Sequence, residues 1–222
     1  MWKSFQLRVR SAMGIALIGL ASTSVMAIEE PSFKVVGKSG RMELREYSPY
    51  LVAETRVKAE FADAGNLAFG PLFNYISGKN QRQEKIDMTA PVSQSADRAE
   101  GEKIAMTAPV TQVPSADGAG NFVVGFTMPA RYNRDNIPQP TDARVSIREV
   151  PSRTMAVLAY SGTWSMARYA EHEAALREEV VKAGWVERGG IEFARYDPPM
   201  MPWFLRRNEV MVEVEPRKIS PK

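Results

Sequence analysis

An offset of 103 residues, applied without a gap, lays one half of this chain over the other. Leu44-Arg45-Glu46 meets Ile147-Arg148-Glu149, Ala53 meets Ala156, Phe61 meets Trp164 and Ala64 meets Ala167. A repeat of this length constrains the fold strongly, because the architecture of the first half must be built again by the second. Each half opens with period-two alternation: Val52, Glu54 and Arg56 against Ala53, Thr55 and Val57, then Met155, Val157 and Ala159 against Ala156, Leu158 and Tyr160. That period marks strands with one face buried.

A helix is expected after each strand. Phe69, Leu72, Phe73 and Ile76 share one helical face, with Gly78 placed to end the helix; Met166, Tyr169, Leu176 and Val180 do the same ahead of Gly184. Gly70-Pro71 conflicts with the first helix and predicts a kink, or a start near Pro71. Matched strands close the halves, Asn121 to Pro129 and Asn208 to Pro216, while polar 93–102 and 114–120 read as loops and 217–222 as a frayed tail. Strand, helix, strands, twice over, predicts an α+β domain with internal pseudo-twofold symmetry and a cleft between the halves.

The most specific string is shorter. Lys85-Ile-Asp-Met-Thr-Ala-Pro-Val92 returns as Lys103-Ile-Ala-Met-Thr-Ala-Pro-Val110. It holds no acid–base or nucleophilic pair and reads as a strand running into a proline corner.

The first 27 residues have the layout of a secretory signal peptide: Lys3, Arg8 and Arg10, an apolar run from Ala12 to Ala21, and Val25-Met26-Ala27 as a cleavage site. The run is about half of the ~20 residues that span a bilayer, so no permanent membrane span is expected. A periplasmic or secreted domain over 28–216 follows. Three of the 29 basic residues and none of the 26 acidic ones precede Ile28, which leaves 26 of each sign. Bulk charge therefore gives no support to nucleic-acid binding.

Cysteine is absent and His172 is the single histidine. Thiolate metal centres, Cys nucleophiles and multi-His sites are excluded, and no structural metal is expected. His172 is an unfavoured axial ligand, since Glu171 and Glu173 beside it predict a water-facing position. No catalytic constellation emerges. Ser165 and His172 lack an oriented carboxylate, and Glu209 and Glu213 are the residues to examine for a weak hydrolytic activity.

Leu44-Arg45-Glu46-Tyr47, Leu72-Phe-Asn-Tyr-Ile-Ser-Gly-Lys-Asn80, the doubled phrase, Tyr196-Asp-Pro-Pro199 and Arg207-Asn-Glu-Val210 occur in an order that resembles the SOUL/haem-binding protein family, over roughly residues 30–216. The resemblance implies two β-α-β-β repeats forming a distorted antiparallel β-barrel flanked by two helices, similar to gyrase-inhibitor-like effector-binding domains. It also implies non-covalent binding of haem or another tetrapyrrole in an apolar groove near the first helix. Haem-binding members carry basic groups for the propionates at positions matching Asn66, Asn74 and Met201 here, all uncharged. Lys79, Arg206 and Arg207 are the nearest replacements.

Phe69, Phe73, Met200, Met201 and Trp203 are the candidate groove wall, with Arg206 and Arg207 as ligand contacts. The alternative is an envelope protein–protein module that docks through the apolar Pro198–Trp203 loop.

Overall fold

A computed structural model describes residues 28–82, 101–115 and 117–217. Residues 1–27, expected as a signal peptide, the first copy of the phrase and residues 218–222 lie outside it. In chain order the strands are β1 (Phe33–Ser39), β2 (Met42–Tyr47), β3 (Tyr50–Lys58), β4 (Asn80–Gln81), β5 (Val110–Pro114), β6 (Asn121–Thr127), β7 (Gln139–Pro140), β8 (Val145–Val150), β9 (Arg153–Ser161), β10 (Trp185–Arg195) and β11 (Arg207–Pro216). Helix α1 (Phe61–Ile76) follows β3, α2 (Met166–Lys182) follows β9, and a 3-10 turn (Trp203–Leu205) precedes β11.

Nine strands form one antiparallel sheet in the order β1-β2-β9-β11-β10-β5-β6-β3-β8, while β4 and β7 pair separately. The expected barrel is not formed. β1 and β8 are the two edges of an open sheet. The halves interlock: β2 of the first pairs with β9 of the second, β8 of the second with β3 of the first, and β5 with β10 joins them at the centre.

Period two decides what each face carries. Ala156, Leu158 and Tyr160 of β9 enter the main core beneath the helices, with Phe193, Val210, Val212 and Val214. Met155 and Val157 point the other way, into a smaller cluster with Tyr47, Ala194 and Met211 that Phe33, Tyr50 and Tyr196 cover. Phe193, fully buried, lies 5.4 Å from the Phe61 ring and 5.3 Å from the Tyr169 ring, so both helices meet the sheet through it.

Helix α1 starts at Phe61, ten residues before Pro71, and runs through that proline, so the alternative start near Pro71 is not used. Ala68, Leu72, Tyr75 and Ile76 are all buried against the sheet, and this packing outweighs one missing amide. The bond forgone is to the carbonyl of Leu67, an exposed residue. Both expected helix stops are used. Gly78 and Gly184 adopt φ of 105° and 77°, and the Gly184 amide donates to the Val181 carbonyl. Ser165 caps α2 by accepting from the Arg168 amide.

Candidate functional site

Phe61, Gly65, Phe69 and Phe73 are four apart on α1 and therefore share one face. That stripe begins inside and ends outside. Phe61 is buried, whereas Phe69 and Phe73 are 44% and 42% exposed. Their rings stack with centroids 5.3 Å apart and planes 15° from parallel, and the Phe69 ring stands edge-on to Phe126 at 5.8 Å. Core packing thus accounts for Leu72 and Ile76, while Phe69 and Phe73 present aromatic surface to solvent.

The second copy of the phrase supplies the facing wall. The Ile104 amide donates to the Ile76 carbonyl at the end of α1. Thr107 Oγ1 donates to the Thr127 carbonyl, and the chain turns into β5 through a cis Ala108–Pro109 bond. Between helix and phrase lies a groove of about 460 Å³ lined by Phe73, Ile76, Ser77, Lys103, Ile104 and Met106, a volume in the range of small-ligand sites. Lys103 and Met106 are both exposed at its rim. The sequence reading treated the phrase as architecture alone and missed Lys103, although the lysine was in view in both copies. Lys79 is exposed, two residues beyond Ser77.

The remaining candidates sit apart from this wall, in the segment before β11. Met200 is 85% exposed, Trp203 58%, Phe204 58% and Leu205 62%. Met201 is half-buried, its amide donating to the Pro198 carbonyl. Arg206 donates to the Met201 and Pro199 carbonyls and lies 4.4 Å from the Trp164 ring, so its guanidinium pins the loop. Arg207 pairs with Glu30 at 2.8 Å and Glu209 at 3.0 Å, above the Tyr196 ring.

Glu209 itself is fully buried on the face away from the helices. Both its oxygens accept from Arg45 Nη1 at 3.0 Å, and Oε2 accepts from the Tyr196 hydroxyl at 2.6 Å. All the lone pairs a general base would need are engaged in this network. Glu213 is half-buried, opposite Met155 in β9. Among the described residues no three His, Asp or Glu side chains converge as a metal site, and no helix is long and apolar enough to cross a membrane.

His172 departs from expectation: it is 5% exposed rather than water-facing. Helical periodicity turns it inward with Tyr169, Leu176 and Val180, and its ring stacks on Tyr160 at 3.9 Å. Neither ring nitrogen has a hydrogen-bond partner among the described residues. Burial holds its pKa below 6.5, with Glu171 opposing and Arg168 and Arg41 adding to the depression. The unfolded imidazole therefore takes up a proton first on acidification. Stability should fall as pH drops from about 6.5 towards the folded pKa, by at most about 1.4 kcal/mol per pH unit. His172→Phe should flatten that part of a urea stability–pH curve; an unchanged slope would place the effect elsewhere.

The fold resembles the C-terminal domain of EcmrR, with a TM-score of 0.56 over 79% of this chain and 97% of that one, at 11% identity; the likeness concerns the fold alone. The chain belongs to the SOUL heme-binding protein family, which it matches over residues 28–213. Among its relatives, heme-binding protein 1 of Xenopus tropicalis is 28% identical over 87% of this chain and 97% of its own length. Heme-binding protein 2 of Homo sapiens is 24% identical over 86% and 93%. The SOUL family is a family of binding proteins.

Proposed function

We propose that this chain is an exported carrier that holds haem, another porphyrin or a similar flat apolar molecule non-covalently in the groove between α1 and the Lys103–Val110 phrase. In this reading residues 1–27 are a cleaved leader, 28–216 the binding domain of a periplasmic or secreted protein, and the two interlocked halves copies of one β-α-β-β unit. The observation that carries it is the stacked, exposed Phe69–Phe73 pair beside a 460 Å³ groove with Lys103 at its rim. Flat aromatic faces receive a macrocycle by stacking, and a lysine at the edge offers a counter-charge. The buried position of His172 puts its imidazole out of reach of that groove, so retention rests on the ring face and the periphery. Bound haem would supply redox or gas-ligand chemistry of its own.

Haemin titrated into the exported form, whose mass should correspond to a chain starting at Ile28, should give a saturable Soret change. Phe69→Ser with Phe73→Ser should weaken it roughly tenfold or more, by loss of the exposed aromatic surface of the pair. Absence of saturation at micromolar haemin rejects haem as the ligand.

The exposed Met200, Trp203, Phe204 and Leu205 favour a second reading, an envelope interaction module docking through this loop. A partner captured by the wild type and lost from Trp203→Ser, with no porphyrin binding, would select it.

A further inference from the structure

Two guanidinium groups enclosed within the described residues have carboxylate partners. Arg45 pairs with Glu209 and Arg153 with Glu192. Arg195, at the end of β10 on the helix-bearing face, differs from both. Among the described residues its only hydrogen bond runs from Nη2 to the neutral Gln112 Oε1 at 3.2 Å, and Nε is buried without a partner. Aromatic faces surround the cation instead, with Trp164 at 5.0 Å, Phe193 at 5.1 Å and Phe61 at 6.0 Å.

The helix above it has been cut away to admit the group. A Cβ at Gly65 would stand 2.7 Å from Arg195 Nη1, closer than any side chain could remain, so bare backbone faces the guanidinium. Gly65 is one turn before Phe69 on the same stripe. A turn advances about 5.4 Å, so the cation lies about a turn from the first exposed ring and two from the second.

We propose that Arg195 is the anion-binding residue of this site, receiving a carboxylate carried on the edge of a flat ligand that lies on Phe69 and Phe73. The inference rests on the groove reading above and narrows its ligand class to porphyrins, or similar rings, that bear a carboxylate. A guanidinium can meet a carboxylate in two-point geometry, which a lone ammonium cannot do. Burial pulls the Arg195 pKa down to about 10, as expected of a cation that lacks its counter-charge. The positions at which the family resemblance places propionate partners are neutral here, and one of them, Asn66, is the neighbour of Gly65.

Protoporphyrin IX and its dimethyl ester separate ring binding from carboxylate binding, with tryptophan quenching as the readout. Wild type should bind the free acid roughly tenfold more tightly than the ester, as expected for a charge-assisted bond. Arg195→Met should erase that preference while leaving ester affinity within about twofold, and Arg195→Lys should retain part of it. Gly65→Ala leaves the arginine in the chain but displaces its guanidinium, so it should narrow the preference even if Arg195→Met does not fold. An acid-to-ester ratio unchanged in Arg195→Met or Gly65→Ala overturns the inference and leaves the groove standing. Equal loss of acid and ester affinity in Arg195→Met marks the residue as structural and also overturns it. Wild type binding neither compound overturns the groove reading and this inference together.

Discussion

Glu209→Ala should lower folding stability by about 3–5 kcal/mol, the cost of breaking a buried ion pair by removing one member. The carboxylate has no exposed surface and joins three strands through side chains: Arg45 from β2, Arg207 from its own β11, and Tyr196 just beyond β10. Removing it leaves the Arg45 guanidinium, 5% exposed beneath the Phe33 ring, with Glu43 at 2.8 Å as its remaining carboxylate. Burial alone would lower the Arg45 pKa, but Glu209, with Tyr47 and Glu43, more than reverses this and leaves it raised. Burial likewise pushes Tyr47 up to about 12, against the pull of Arg45. The Arg45 guanidinium is thus held charged by its partners, and truncating Glu209 alone comes at a cost. Arg45→Met combined with Glu209→Leu should recover much of the loss, since both desolvated charges disappear together. Urea denaturation of the two single variants and the double variant measures this coupling. Additive losses would show that the buried pair is not the source. The same variants bear on catalysis: an acid enclosed by two arginines and a tyrosine serves the fold, and activity loss in Glu209→Ala would have to be separated from unfolding.

Phe193→Ala should be comparably damaging, about 3–5 kcal/mol, the usual range for deleting a buried aromatic ring. Its ring contacts Phe61 of α1, Tyr169 of α2 and Tyr160 of β9, so one truncation opens a void where both helices rest on the sheet. Collapse into the void is opposed by elements anchored on three sides. Phe193→Leu should cost far less, since it keeps most of the volume. Equal chemical-denaturation midpoints for wild type and Phe193→Ala would contradict this account of the core.

Local chemistry was legible in the sequence where it was decided locally. Gly78 and Gly184 end their helices because only glycine takes those positive φ values without strain. The alternation at Met155 to Tyr160 sorts onto opposite faces of β9 because strand geometry leaves no other choice. Pairing between distant strands carries no such signal. Nothing near Glu43 indicates that β2 lies against β9 rather than β3, so the exchange of strands and the open edges at β1 and β8 emerged only in three dimensions.

The site was half visible. Phe69 and Phe73 stood out by type and spacing, yet whether a helical stripe faces core or solvent depends on where the sheet ends beneath it. Lys103 was concealed inside a string without chemistry, and Arg195 was overlooked because the family motif begins one residue later, at Tyr196. His172 was misplaced by its acidic neighbours. On a helix, flanking residues point about 100° away, and the positions three and four removed are the better guide.

The central claim is that a flat ligand lies on α1 opposite the second phrase, and backbone amide shifts during titration with zinc protoporphyrin IX test it most directly. The account predicts saturating shifts concentrated at Gly65 to Ser77 and Lys103 to Met106, with the β1–β2 edge unchanged. Shifts confined to Met200–Leu205, or none at all, would contradict it.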